Sequence, residues 1–281
     1  MKEKYSGRAP SRYGKSTTQD RRQSYSGREK NEKLEIEQNE NMISGRNAVK
    51  ELLSSGRDID KIFVASGDRN GSISVLVAEA IERKIPVIET DRKKLDSMLG
   101  ASYHQGIIAM AAERNYATVD DIIAYAESKG EKPLIAICDG LEDPHNLGAL
   151  IRCAECSGVH GVIIPKRRNV GLTSVVAKSS AGAIEHMLVA KVTNLAQTIE
   201  ELKQKGIWVY ASDMNGTNYF DLDFTSPSAI VFGSEGSGIS RLVSERSDFV
   251  VSIPMYGQVN SMNVSTAASV ILCEAARQRH K

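Results

Sequence analysis

The segment 139–152, DGLEDPHNLGALIR, carries an asparagine and an arginine where a predicted buried strand passes into a predicted helix. Pro144 and Gly148 favour a turn, and Asn146 can cap the helix that follows. Arg152 then lies one turn into this helix, so that its guanidinium and the free N–H groups of the first turn face one anion site. An ordinary strand-to-helix turn does not need an arginine at this position, which favours a binding role.

A glycine-rich loop, IVFGSEGSGIS over 230–240, surrounds one carboxylate with three glycines. Gly233, Gly236 and Gly238 allow the backbone to approach a ligand closely and to adopt positive φ values. The spacing matches neither a dinucleotide-binding fingerprint nor a phosphate-binding P-loop. Because Glu235 would repel a triphosphate, the loop is suited to a cationic or hydroxyl-bearing ligand.

Four small polar residues gather at the start of the last predicted helix, within IPMYGQVNSMNVSTAAS over 253–269. They are Asn260, Ser261, Asn263 and Ser265. One such residue is enough to cap a helix. The surplus indicates a ligand site beside the helix N-terminus.

The composition is that of a folded globular protein, with 281 residues of which 41% are hydrophobic and 25% are charged. This length can bury a sizeable core and predicts one or two domains. No apolar run is long enough for a membrane-spanning helix, and no apolar stretch follows the N-terminal charges as it does in a secretory signal. Four cysteines do not resemble a disulfide framework, so we expect a protein of the reducing cytoplasm.

Cys153 and Cys156 form a C-x-x-C pair inside the helix predicted after the first motif. A zinc site would need a second pair, whereas Cys138 and Cys273 stand alone in a strand and in a helix. We therefore expect these cysteines to be buried apolar residues and expect no metal site.

Charge is unevenly distributed along the chain. Residues 1–30 contain nine Lys or Arg and three acids, a net charge of +6, whereas the whole chain carries +1. Residues 1–33 contain no Leu, Ile, Val, Phe or Trp, and such a segment cannot bury enough apolar surface to offset chain entropy. We expect 1–40 to be a disordered basic tail, whose interleaved Arg and Tyr either neutralise phosphates and stack on bases of a nucleic acid or belong to a solvated solubility tail.

Hydrophobic periodicity divides the rest of the chain into two α/β parts joined by a connector. Residues 41–113 alternate helices and short strands and predict a small α/β domain. Residues 114–131 form a linker that contains one helix. In 132–281, strands that are apolar along their length alternate with helices, which predicts a parallel sheet covered on both faces. The three motifs follow strands of this sheet, at whose carboxyl ends ligands collect.

The blocks DPHNLGALIR, FGSEGSGIS and IPMYGQVNSMNVSTAAS, in this order, resemble the motifs of the SpoU (TrmH-like) RNA ribose 2′-O-methyltransferases of the SPOUT class. SSAGAIEH at 179–186 is also similar to this family, and SGRNAVKELL resembles the start of its ribosomal-protein-like substrate-binding domain. The resemblance covers about 43–281. It implies a trefoil-knotted catalytic domain, S-adenosylmethionine as the cofactor, and a homodimer whose active sites combine residues of both subunits.

The resemblance also implies which residues form the site. It implies a cofactor pocket lined by Gly233, Ile253 and Met262, the last in place of the leucine that is common in this family. It implies catalytic roles for Asn146, Arg152, Glu235 and Asn263, with Ser261 and Ser265 as lesser candidates. Arg152 would bind an RNA phosphate and stabilise alkoxide character on the ribose oxygen.

The expected function is S-adenosylmethionine-dependent methylation of a ribose 2′-hydroxyl in RNA, with a guanosine of 23S ribosomal RNA as the expected target. Methylation of tRNA and a non-catalytic role in RNA binding or ribosome assembly are the alternatives. The small domain would select the RNA through Arg46 and Asn47 at a helix start, and through His104 and Gln105 before a strand. Arg46 is equally well explained as a solvated charge at a helix end.

Overall fold

The computed structural model describes residues 41–67, 71–99, 103–112 and 114–280, and the predicted basic tail lies outside these residues. The first part of the chain forms a four-stranded sheet in the order β1-β4-β2-β3. Its strands are β1 (Met42–Ser44), β2 (Ile59–Ala65), β3 (Val87–Thr90) and β4 (Ile107–Ala111). β4 runs antiparallel to both of its neighbours, whereas β2 and β3 are parallel.

Among the described residues of this part, three helices accompany the sheet. They are α1 (Arg46–Ser55), α2 (Ser72–Glu82) and α3 (Arg92–Leu99). The alternation of helices and strands was predicted, but the short strand β1 was not. Three residues are too few to show a period, and β1 forms because β4 offers its edge for pairing.

A six-stranded sheet in the order β10-β8-β9-β5-β6-β7 forms the second part of the chain. Every pair of neighbouring strands in it is parallel, as the sequence predicts. The strands are β5 (Leu134–Asp139), β6 (Gly161–Pro165), β7 (Leu188–Val192), β8 (Trp208–Asn218), β9 (Ser228–Gly233) and β10 (Phe249–Ser252).

Helices cover both faces of this sheet. They are α4 (Val119–Ser128), α5 (Pro144–Cys156), α6 (Ser174–Ser179), α7 (Leu195–Gln204), α8 (Arg241–Arg246) and α9 (Val264–Arg279). Residues of α5 and α9 belong to a core on one face, and residues of α4, α7 and α8 belong to a core on the other. The consecutive residues Ala136 and Ile137 of β5 belong to opposite cores, one on each face of the sheet, which explains why the strand is apolar throughout.

The strand order brings the three sequence motifs together. β5 and β9 are neighbours, and Asp139 pairs with Gly233 at their carboxyl ends. After the edge strand β10, the chain returns through 253–263 to α9, which packs against α5. The loops that follow β5, β9 and β10 therefore meet at one end of the sheet. In the described part of the chain, no helix is both long enough and apolar enough to span a membrane.

Candidate active site

Three polar residues from the three motifs form one hydrogen-bonded cluster. Asn146 donates from Nδ2 to Oε1 of Glu235 at 3.0 Å, and Asn263 donates from Nδ2 to Oδ1 of Asn146 at 2.9 Å. Asn263 also donates to the same Glu235 oxygen. Asn146 is buried, while Glu235 and Asn263 are more accessible. The cluster joins residues that lie up to 117 positions apart in the chain.

The first turn of α5 positions Asn146. Asp143, and not Asn146, caps this helix, because Oδ1 of Asp143 accepts the N–H of His145 at 2.9 Å. Pro144 occupies the first helical position, where its fixed φ favours a helix start and its missing N–H is not needed. The expectation that Asn146 is the cap is therefore wrong, and its side chain is left free to bind Glu235.

Asn263 caps α9 and thereby acquires a fixed orientation. Its Oδ1 accepts the backbone N–H of Ser265 at 2.9 Å and the hydroxyl of Ser265 at 2.6 Å. With its oxygen directed at the helix, its Nδ2 points towards Asn146 and Glu235. The helix begins at Val264, so the predicted residue Ser261 precedes it.

The glycine-rich loop after β9 holds Glu235 in a tight turn. Ser234 and Gly238 exchange two backbone hydrogen bonds of 3.1 and 2.9 Å. Gly238 has a φ of +65°, and a Cβ atom on Gly233 would lie 2.2 Å from the carbonyl carbon of Gly238. Both glycines are needed for this turn, because a side chain would be strained at the first and would clash at the second.

A cavity of about 370 Å³ lies on one side of this loop. Gly233, Ile253 and Met262, the three residues expected to bind the cofactor, all line it. Glu235 and Asp213 place two carboxylates in the same wall. Asp213 was not predicted, because it lies within β8 and the sequence does not show which strand pairs with β9.

A second, larger cleft of about 910 Å³ lies next to the same loop. Asn146 and Glu235 line it, as do Arg167 and Arg168 from the segment after β6. Since Glu235 lines both spaces, the hydrogen-bonded cluster stands at the boundary between the small cavity and the large cleft. The two arginines were not singled out from the sequence.

Arg152 does not contact this cluster within one chain. It is exposed and lies eight residues after Pro144, about 12 Å along the axis of α5. It also projects about 120° away from Asn146 around the helix. The expectation that Arg152 and the first-turn N–H groups face one anion site is therefore wrong for a single chain, because the helix starts too early.

The residues expected to contact RNA in the first part of the chain lie around the start of α1. The backbone N–H of Arg46 donates to Oε1 of Gln105 at 2.9 Å, and its Nε donates to the Gln105 carbonyl at 3.2 Å. Asn47 is exposed beside it. His104 is buried and its Nδ1 accepts the N–H of Gly106 at 2.9 Å, so its role is to hold the turn and not to contact RNA.

The C-x-x-C pair lies in α5, where Cys153 is half-buried and Cys156 is exposed. The expectation that both are buried is wrong for Cys156, which lies on the solvent-facing side of the helix. Among the described residues, no group of three or more His, Cys, Asp or Glu side chains is arranged to hold a metal ion.

Two family models match the chain. The SpoU rRNA methylase family matches residues 133–273, and a substrate-binding family of RNA 2′-O ribose methyltransferases matches residues 42–117. A protein of Staphylococcus haemolyticus assigned to the TrmH family of tRNA/rRNA methyltransferases is 48% identical over 85% of this chain and 96% of its own length. A protein of Bacillus subtilis with the same assignment is 45% identical over 87% of this chain and 98% of its own length.

Solved structures share the fold. An RNA 2′-O ribose methyltransferase is 26% identical with a TM-score of 0.70, and the match covers 85% of this chain and 89% of that one. The SpoU methyltransferase AviRb of Streptomyces viridochromogenes, solved with its cofactor AdoMet, is 23% identical with a TM-score of 0.71 over 85% of this chain and 90% of that one. The predicted SPOUT fold with an N-terminal substrate-binding domain is confirmed.

Proposed function

Because this chain belongs to the SpoU family of RNA methylases, we propose that it methylates a ribose 2′-hydroxyl of RNA with S-adenosylmethionine, the cofactor of this family. The observation that carries the proposal is the cluster of Asn146, Glu235 and Asn263 between a glycine-lined cavity and a larger cleft. It holds a carboxylate where a methyl donor on one side could meet a hydroxyl group on the other.

The smaller cavity suits the cofactor. Its volume of about 370 Å³ lies in the range of small-molecule sites. Bound there, S-adenosylmethionine supplies a methyl group that its sulfonium charge activates. Met262 and Ile253 offer apolar contacts, and the glycine backbone of the loop allows close approach. Asp213 and Glu235 give the wall negative charge, which complements a cationic ligand.

Glu235 is proposed to receive the hydrogen bond of the ribose 2′-hydroxyl. Its Oε1 accepts from both asparagines, whereas no described residue donates to its Oε2. The asparagine amides fix the carboxylate, so that Oε2 can accept the hydrogen bond of the hydroxyl group and orient its oxygen for methyl transfer. Positioning of this kind can supply several kcal/mol of the rate enhancement.

Arg152 is proposed to complete the active site of a partner subunit. In a homodimer built through the exposed sides of α5 and α9, the guanidinium of one subunit would bind the RNA phosphate next to the target ribose of the other. Guanidinium is rarely deprotonated, which favours electrostatic stabilisation of the developing alkoxide over general-base catalysis. The distance of Arg152 from the asparagine cluster within one chain supports this arrangement.

The RNA is proposed to be 23S ribosomal RNA, with a guanosine as the target, and tRNA is the second candidate. Residues 41–113 would bind the RNA, residues 114–131 would connect the two domains, and residues 132–281 would catalyse methyl transfer. Arg46 and Asn47 would contact exposed bases, and the basic segment 1–40 would add salt-sensitive affinity. An enzyme with these substrates would act in the cytoplasm.

Calorimetry with S-adenosylmethionine, followed by transfer of a labelled methyl group to 23S and tRNA transcripts, tests this function. We expect uptake of the cofactor and a 2′-O-methylated nucleotide, identified by its resistance to alkaline hydrolysis. Labelling of tRNA alone would exclude the ribosomal substrate. RNA binding without cofactor uptake would instead identify a non-catalytic RNA-binding protein.

A further inference from the structure

A run of three basic residues forms one rim of the larger cleft. Lys166, Arg167 and Arg168 directly follow β6, and all three are exposed. Both arginines line the cleft. Within the described part of the chain, neither guanidinium forms an ion pair or a hydrogen bond. Their charges are therefore available to a ligand.

Hydrogen bonds donated by backbone N–H groups hold this run in a defined place. Leu141 donates its N–H to Oδ1 of Asn169 at 2.8 Å, and its carbonyl accepts the N–H of Val170 at 2.8 Å. On the other side, the N–H of Lys166 donates to the carbonyl of Val192 at 2.8 Å. The loop that carries the arginines is thus tied to the loop that leads to Asn146.

The backbone of Arg168 adopts an uncommon conformation. Its φ is +58°, in the left-handed region that non-glycine residues rarely occupy. Gly140 packs against it, since a Cβ atom there would lie 3.6 Å from the Arg168 carbonyl oxygen. Strain of this kind often marks a binding segment, and here it directs a charged residue to the cleft.

Positive and negative side chains lie on opposite sides of the cleft, following the order of the strands in the sheet. The arginines follow β6, whereas Glu235 follows β9, and β5 lies between these two strands. Of the cleft's carboxylates at the end of β5 and after it, Asp139 accepts the N–H of Ser240 at 2.7 Å and Asp143 caps α5, whereas Glu142 between them is exposed. An RNA strand would place its phosphates over β6 and be repelled by the carboxylates nearer β9.

We propose that Arg167 and Arg168 bind backbone phosphates of the RNA that flank the target nucleotide. This inference rests on the proposed function, and it deepens it by naming where the strand lies. With its phosphates on the arginine rim, the strand would direct the target ribose across the cleft, towards Glu235 and the cofactor cavity. Recognition of this kind fixes register and orientation without reading the base sequence.

The test measures the affinity of the protein for 23S ribosomal RNA and tRNA transcripts as a function of salt concentration. The double variant R167A/R168A is compared with K129A/K132A, which removes two exposed charges just before β5, at the amino ends of the strands and so at the other end of the sheet from the cleft. Of the two transcripts, we consider the one that the wild type binds more tightly. We expect the arginine variant to bind this RNA about 10- to 100-fold more weakly. The slope of log affinity against log salt should fall by about 1.4, for two contacts to a single strand.

The lysine control should leave both quantities unchanged, and R167K/R168K should retain most of the salt slope because it keeps both charges. S-adenosylmethionine binding, measured by calorimetry, verifies that each variant is folded. Equal losses in the arginine and lysine variants, or wild-type affinity of R167A/R168A, would overturn the inference. If the wild type binds RNA through these arginines but transfers no methyl group, the proposed function fails while the phosphate site stands.

Discussion

Asn263 uses the two halves of its amide for different purposes. The oxygen caps α9, and the nitrogen binds Asn146 and Glu235. In the variant N263D, a carboxylate oxygen can still cap the helix, but the donor is lost and two carboxylates become neighbours. We expect methyl transfer to fall about 100-fold, because hydrogen bonds to a charged group contribute about 1.5–3 kcal/mol each. Steady-state kinetics at saturating RNA measures this loss.

The variant N263A provides the comparison for this experiment. It removes the cap as well as the donor, so it should also lower the free energy of unfolding by about 1 kcal/mol. N263D should unfold close to the wild-type midpoint. If N263D retained wild-type activity, the amide nitrogen would have no part in holding Glu235.

We expect His160 to make the free energy of unfolding dependent on pH. Its buried ring accepts the Leu134 N–H at Nδ1, at 3.0 Å, and its Nε2 lies 3.0 Å from Glu131. Burial lowers the pKa of His160 below its ordinary value of 6.5, and the contact with Glu131 opposes this shift only in part. As the pH falls through 6.5, the histidine of the unfolded chain takes up a proton before that of the folded chain does. The free energy of unfolding therefore falls with the pH.

Thermal unfolding between about pH 7.5 and pH 5.5 measures the effect of His160. In H160N, the amide oxygen can replace Nδ1 as the acceptor but does not titrate in this range. We expect the wild type to lose more stability on acidification than H160N does. Parallel pH profiles for the two proteins would show that the pKa of His160 is the same in the folded and the unfolded chain, against this interpretation.

The sequence singled out polar residues where a motif surrounds them, and the structure brings three of these residues into one cluster. Asn146, Glu235 and Asn263 stood out because each is a polar side chain in a turn that glycine or proline shapes. Arg167 and Arg168 did not, since a short basic run after a strand is also typical of a solvated surface loop. Their significance depends on the neighbouring loop at Leu141, which only the fold brings into contact.

At the scale of elements, the strands of the large sheet were predictable because each is buried on both faces. Helix starts were less predictable, since several residues before α5 and α9 could serve as the cap. The choice of Asp143 moved the start of α5 and with it the position of Arg152. The pairing of β8 with β9, which brings Asp213 to the cavity, leaves no local pattern in the sequence.

A buried ion cluster joins the segment between α6 and β7 to the first part of the chain. The carboxylate of Glu185, whose side chain is only 1% exposed, contacts Arg57 at 3.4 Å and also contacts Arg114. In E185Q, two largely buried guanidinium groups lose their counter-charge. We expect a loss of about 3 kcal/mol in the free energy of unfolding, measured by guanidinium titration.

The neighbouring pair between His186 and Glu51 is the matched control for E185Q. Its atoms lie 2.9 Å apart, but both side chains are about one-third exposed. H186A should therefore cost less than about 1 kcal/mol. Similar losses in E185Q and H186A would mean that burial does not strengthen the Glu185 cluster.

At the scale of the whole molecule, three distant segments meet because the chain returns from the edge strand β10 to the middle of the sheet. Periodicity does not predict this return, because threaded chains are rare and no local signal marks them. The resemblance of ordered motifs did predict it. The same resemblance implies a partner subunit, whose active site Arg152 is proposed to complete from its exposed position.

Mixed dimers test whether Arg152 acts across subunits. R152A and E235A, each expected to be inactive, are co-expressed with different tags and purified through both. If the arginine of one subunit serves the carboxylate of the other, each mixed dimer contains one complete site and should show about half of the wild-type activity. If both residues act within one chain, neither site is complete and the mixed dimer stays as inactive as its parents. Because folding and cofactor binding are the same in either case, the activity of the mixed dimer distinguishes the two arrangements directly.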